Sequence, residues 1–292
     1  MQCPATNKRT AKISGNVISQ KNSGKETKQG KVFLMVIKRD FVYTPTGKER
    51  VLHIYLPENY NETDERYPVM YFFDGHNLYF DEDTTYGTSW GVKDFMDQWE
   101  KDMIIVGIEC GHGTGERLNE YCPYKMPTGF CSEFECIGDA TFQWIVDEIK
   151  PMIDKEYRTY PNRQCTGIAG SSMGGLMAVF GVIKYNHVFS KAACVSSAIG
   201  FCMPKLNADI EAYPVDPDTR VFISWGTREA WGVKDHEHED TKSPTALNNH
   251  EVGKKLADQG AAVDVFCQIG GAHCEADWRH QVPRFMDFLW MR

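Results

Sequence analysis

The chain has 292 residues, 42% hydrophobic and 12% aromatic, enough for one large domain with a sizeable core. Its formal net charge is −8 and no basic stripe stands out, which argues against nucleic acid as a partner. No apolar run approaches the ~18 residues that a membrane-spanning helix needs, so no membrane partner is expected either.

Residues 1–31 are polar and lysine-rich with no apolar stretch of the secretory type. Residues 1–30 therefore read as a polar arm, residues 31–292 as a single domain, and the protein as cytoplasmic. Residues 31–38 (KVFLMVIK) and 50–56 (RVLHIYL) read as antiparallel edge strands joined by a Thr-Pro-Thr-Gly-Lys turn at 44–48. The continuous apolar runs 68–73 (PVMYFF) and 103–108 (MIIVGI) have the character of strands buried on both faces. Between them, residues 90–99 have helical spacing, and the long segment 109–137 is irregular. A helix is expected over 139–157, then a strand and helix around 166–180, a strand at 191–196, and a proline-containing loop over 200–218. A strand at 220–225, a charged loop, a helix at 246–259, a strand at 262–269 and a last helix at 278–290 complete the chain. Strands alternating with helices predict an α/β fold with a mostly parallel central sheet and helices on both faces.

Of the ten cysteines, none forms C-x-x-C, and several lie in apolar strand patterns where a thiol acts as a small hydrophobe. Reduced thiols are the expectation, with a bridge among Cys122, Cys131 and Cys136 as the alternative.

The apolar run 166–169 ends in Gly170-Ser171-Ser172-Met173-Gly174-Gly175 and a helical pattern begins at once. This is G-x-S-x-G between a strand and a helix. The serine at such a turn has a strained backbone, and its neighbours two residues away must be nearly free of side chain. The register selects Ser172, because Ser171 would need glycines where Ala169 and Met173 stand.

A serine hydroxyl needs a base to take its proton and an acid to orient that base. His273 follows Gly270-Gly271-Ala272 directly after the last strand, where small residues let a loop swing over the serine. The acid should follow the strand ending at Trp225. Glu229 is the first carboxylate there and Asp235 the next candidate. The developing oxyanion calls for two backbone donors. The Met173 N–H is one; the other belongs to the loop after residues 68–73, with His76 as the expected residue and Asn77 as its alternative. Trp90, Tyr124, Phe130, Phe134 and Trp231 are candidates for the wall of a substrate pocket. Arg117 and Glu120 either pair with each other or hold the polar end of a substrate. The run Asp-His-Glu-His-Glu-Asp at 235–240 invites a metal reading, but His236 and His238 alternate and no further ligand cluster accompanies them. The expected chemistry uses no metal and no cofactor.

Six blocks, FDGHNLYF (73–80), TSWGV (88–92), RLNEY (117–121), GSSMGG (170–175), GTRE (226–229) and GGAHCEADW (270–278), resemble in order and spacing the Putative esterase family of α/β-hydrolases. That group includes feruloyl and acetyl xylan esterases of carbohydrate esterase family 1, enterobactin-type siderophore esterases, S-formylglutathione hydrolase and mycolyltransferases. The resemblance implies an α/β-hydrolase fold, a triad of Ser172, His273 and an acid, an oxyanion hole at His76 and Met173, and no cofactor. Some siderophore-esterase relatives work with a Ser–His pair alone, so a Ser172–His273 dyad stays open beside Glu229 and Asp235. The expected activity is that of a serine carboxylesterase acting on a small-molecule ester: an acylated carbohydrate, a siderophore lactone or a small acyl ester. The alternatives are a thioesterase or acyltransferase on the same residues, and a non-catalytic binding module.

Overall fold

The computed structural model describes residues 35–291. The expected arm at 1–30 and the start of the first strand lie outside the described residues. Strand β1 (Met35–Tyr43) pairs antiparallel with β2 (Lys48–Leu56), and Tyr43 O accepts from Gly47 N at 2.9 Å to close the turn between them. The remaining strands are β3 (Val69–Phe73), β4 (Ile104–Ile108), β5 (Thr166–Ser171), β6 (Lys191–Val195), β7 (Arg220–Gly226) and β8 (Ala262–Gln268). They form one sheet in the order β1-β2-β4-β3-β5-β6-β7-β8. Only the β1–β2 and β2–β4 pairings are antiparallel.

Alternation along the central strands feeds two cores. Tyr71, Phe73, Val106 and Ile168 face one layer with Phe142, Ile149, Leu176, Leu206 and Val252. Met70, Phe72, Ile105 and Ala169 face the other, with Trp90, Val92, Phe285 and Leu289. The first layer carries α2 (Glu116–Glu120), α3 (Gly138–Trp144), α4 (Lys150–Glu156), α5 (Met173–Lys184), α6 (Met203–Ala212) and α7 (Pro244–Asp258). The second carries α1 (Val92–Met96), α8 (Glu275–Arg279) and α9 (Val282–Trp290). Among the described residues, no helix is long and apolar enough to cross a membrane.

Several local expectations are corrected. Residues 200–218 are not all loop: α6 occupies 203–212, because Pro204 stands in its first turn, where the missing N–H breaks no helical bond. The helical stretch at 90–99 shrinks to α1, and the last helix divides into α8 and α9. The helix expected over 139–157 is continuous but widens to a π turn over Ile145–Ile149, just ahead of Pro151, whose ring does not fit a regular α turn. Cys122, Cys131 and Cys136 are thiols: Cys136 Sγ lies 3.3 Å from Cys122 Sγ, a contact rather than a bond.

Candidate active site

Parallel strands present their C-terminal ends on one edge, so β3, β5, β6, β7 and β8 bring the residues that follow them side by side. Four non-glycine residues have positive φ among those described, and three of them stand there: Asp74 (58°) after β3, Ser172 (57°) after β5 and Ser196 (44°) after β6. Each such conformation costs on the order of 1–3 kcal/mol and persists only where its surroundings enforce it. Strain is thus concentrated on one edge of the sheet.

Ser172 is fixed by backbone contacts. Its N–H donates to Val195 O at 3.0 Å, and its carbonyl accepts from Leu176 N and Ala198 N, both at 3.0 Å. The flanking glycines have no room for a side chain. A Cβ on Gly170 would lie 2.6 Å from the Gly174 carbonyl carbon, and one on Gly175 would lie 2.9 Å from Val195 O. The side chain is half-buried, at the first turn of α5. Among the described residues, the N–H groups of Met173 and His76 make no backbone hydrogen bond. Asn77 N–H, the alternative donor, is spent on Asp74 O at 2.9 Å.

His273 stands on the loop between β8 and α8 with its side chain 46% exposed. Its Nδ1 contacts Glu229 Oε2. Glu229 comes from the turn after β7, and its other oxygen accepts from Ser196 Oγ at 2.6 Å and from Gly226 N–H. Ser196 Oγ in turn accepts from Trp278 Nε1 at 2.9 Å, and the Trp278 ring packs edge-on against His273 at 5.0 Å. The loops after β7 and β8 touch closely: a Cβ on Gly226 would sit 2.2 Å from Gly271 O. Asp235, the other acid considered, spends its carboxylate on Glu237 N–H (3.0 Å) and His238 Nδ1 (2.8 Å). Ser196 was not singled out from sequence. Its only signal there is its position directly after β6, the parallel neighbour of the serine strand.

On the β3 side, Asp74 and Arg117 form two parallel hydrogen bonds, Nε to Oδ1 and Nη2 to Oδ2, each 2.7 Å. Burial pushes the Asp74 carboxyl up, but the guanidinium outweighs it and the net shift is downward. Gly75 has no room for a Cβ, which would meet the Gly107 carbonyl carbon at 2.4 Å. The His76 ring is buried, and burial lowers its pKa; Nε2 bonds Thr85 Oγ1 at 3.1 Å. Asn77 Nδ2 donates to the buried Glu275 at 3.2 Å, whose carboxyl is pushed up by burial.

The sequence model of the family described as Putative esterase matches residues 44–289. The chain belongs to the Putative esterase family. It has the α/β-hydrolase fold and is an enzyme that acts on esters. Across 247 residues it is 26% identical to the uncharacterized protein YbbA of Bacillus subtilis, covering 81% of this chain and 91% of that protein. It is also 25% identical over 252 residues to an endo-1,4-beta-xylanase/feruloyl esterase of Xylanibacter ruminicola, covering 84% of this chain but only 30% of that larger protein. In fold it resembles an IroE-like serine hydrolase from Shewanella oneidensis, with a TM-score of 0.65 at 19% identity over 87% of this chain and 81% of that one.

The expected substrate-binding residues of this esterase fall into different places. Trp90 is only 3% exposed, packed against Phe72, Trp278 and Phe285, and is core rather than pocket wall. Tyr124 is likewise buried, with its hydroxyl on Asp209. Arg117 and Glu120 do not pair. Arg117 is taken by Asp74, while Glu120 contacts Arg50 and accepts from Gly111 N–H at 3.0 Å. These long-range partners come from neighbouring strand ends, which i,i+3 spacing cannot reveal. Trp231 is 83% exposed on the rim of a hollow of about 590 Å³ lined by residues of the 231–244 loop, which includes neither Ser172 nor His273. In the same loop His236 Nδ1 lies 2.8 Å from Thr227 O and His238 bonds Asp235, so the two rings are used in holding the loop. Phe130 and Phe201, both partly exposed, stack at 4.5 Å, and Phe134 packs on Phe130 at 4.9 Å. Phe201 ends the 3-10 turn Ala198–Phe201, whose first N–H bonds Ser172 O.

Proposed function

We propose that this esterase is a serine carboxylesterase working through an acyl-enzyme, with Ser172 as nucleophile, His273 as proton carrier, Glu229 as the orienting acid, and the N–H groups of His76 and Met173 as oxyanion donors. The observation that carries this reading is the Glu229–His273 contact. With Nδ1 engaged by a carboxylate that Ser196 and Gly226 hold in place, Nε2 is the nitrogen left for the serine proton.

In this reading Ser172 Oγ attacks the ester carbonyl carbon as its proton passes to His273 Nε2. The carbonyl electron pair moves onto oxygen, which the two N–H groups stabilise along with the N-terminus of α5. Collapse of the tetrahedral species breaks the bond to the alcohol oxygen, and the alcohol leaves with the proton from Nε2. Water then repeats the sequence on the acyl-serine and frees the acid. No metal or cofactor enters any step.

The aromatic group Phe130, Phe134 and Phe201 favours an ester with an apolar or aromatic part, in keeping with a relative whose name includes feruloyl esterase. The test is a panel of p-nitrophenyl esters of increasing chain length together with methyl ferulate. Turnover is expected on the panel, and Phe201→Ala should raise KM for the aromatic ester more than for p-nitrophenyl acetate. Absence of turnover on every ester would overturn the reading.

A further inference from the structure

We propose that His76, Cys110 and His112 form a binding site for a borderline-soft divalent cation of the zinc class, seated between the loops after β3 and β4. These two strands are parallel neighbours, with Phe73 opposite Ile108, so the segments 74–76 and 109–112 leave the sheet together. Donor atoms of the three side chains all lie within 4.8 Å of one another, and the two imidazole rings stand 4.8 Å apart, edge to face.

Four features favour a metal over ordinary packing. First, His76 is 5% exposed, yet its Nδ1 has no hydrogen-bond partner among the described residues. A buried unpaired ring nitrogen is costly, and a cation would satisfy it. Second, one nitrogen of each ring is already held. His76 Nε2 bonds Thr85 Oγ1 at 3.1 Å and His112 Nε2 bonds Glu109 Oε1 at 2.6 Å. A carboxylate or hydroxyl on the far nitrogen is the arrangement that orients metal-ligating histidines. Glu109 is itself anchored by His53 at 3.4 Å. Third, two imidazoles and a thiol are a donor set suited to zinc, with water as the fourth ligand. Fourth, His112 is exposed while His76 and Cys110 are buried, which leaves an entry path from solvent.

Around a tetrahedral zinc, bond lengths near 2.0–2.1 Å to nitrogen and 2.3 Å to sulfur put donors about 3.4–3.6 Å apart. Closing from 4.8 Å therefore takes about an ångström of movement, within reach of the exposed His112 side chain. The Cys110 thiol releases its proton to solvent as the bond to the metal forms. Of the carboxylates around the site, Asp74 and Glu120 are paired with Arg117 and Arg50, while Glu109, on the His112 ring, adds to the attraction for a cation. The site adjoins the oxyanion hole proposed above, because His76 would lend its ring to the cation and its backbone N–H to the ester, but the ester chemistry itself needs no metal.

The test is titration of the reduced, chelator-treated full chain with Co²⁺, read by absorption, followed by displacement with Zn²⁺. One equivalent should bind with the visible bands of tetrahedral cobalt and a near-ultraviolet thiolate-to-cobalt band. Cys110→Ser should abolish the thiolate band and His112→Ala should weaken binding at least ~10-fold, while Cys136→Ser, in the separate thiol group, should change nothing. His112 is exposed, so that variant reports binding even if Cys110→Ser folds poorly. Absence of binding, binding unchanged in His112→Ala, or loss that follows Cys136 instead would overturn the proposal.

Discussion

Ser172 and His273 are held on the same edge of the sheet by different means. Around Ser172 backbone packs on backbone: Gly170 against Gly174, Gly175 against Val195, and the Ser172 N–H on Val195 O. At the His273 ring, which is partly exposed, polar side chains set the geometry: Glu229, Ser196 and the Trp278 indole. Packing of the first kind tolerates no added atom. A hydrogen-bonded array of the second kind can lose a member without losing the fold. Substitutions should therefore separate the two regions, with stability reporting one and turnover the other.

The largest effect is expected in the turn. Gly170→Val places atoms inside the Gly174 backbone and should leave little folded protein, measured as loss of the cooperative thermal transition. A normal melting curve would show that the turn is less rigid than its contacts imply. Next comes Glu229→Gln, which should cut kcat by on the order of 10²–10⁴ with little change in Tm. A near-normal rate in that variant would point to a Ser172–His273 dyad.

Arg117→Met probes the β3 side, where a pair of side chains is buried as the glycines are. It leaves the Asp74 carboxylate without its partner and should cost about 2–4 kcal/mol at neutral pH, somewhat below a fully buried pair because the guanidinium is partly exposed. The sign with pH is fixed by the shift. In the wild type the carboxyl is depressed, so its contribution is present above the ordinary value of about 3.9 and is lost as pH falls through the native value. In the variant, burial, the largest influence, is opposed only by His76 and Cys110, so the carboxyl rises and the deficit relative to wild type should shrink as pH is lowered and Asp74 takes up a proton. Urea unfolding at pH 7 and pH 4.5 checks this; an equal deficit at both would contradict it. The smallest effect belongs to Asp235→Asn, whose carboxylate only ties its own exposed loop. Activity and Tm should both stay within error of wild type.

Much of this contrast is legible in sequence, and the reason is steric. Glycine at 170 and 174 is demanded locally, so the serine turn can be read from a few residues. The alternation of apolar runs likewise gives the parallel sheet. The His273 side is harder, because its partners come from β6 and β7 and no local spacing links Ser196 or Glu229 to residue 273. The same holds for Arg117, whose partner Asp74 is 43 positions away and meets it only because β3 and β4 are neighbours. Trp90 looks like a pocket residue from its type, yet packing against Phe72 and Phe285 buries it. Helix α6 was hidden by its proline, which breaks helices in their interior but fits a first turn.

The most direct test of the account is covalent labelling with a fluorophosphonate, read by mass spectrometry of the peptides. One equivalent should attach to Ser172, Ser171→Ala should label and turn over nearly as wild type, and Ser172→Ala should neither label nor retain more than about 10⁻⁴ of kcat. Label on Ser171, or full labelling in Ser172→Ala, would contradict the assignment of the nucleophile and with it the reading of the whole strand edge.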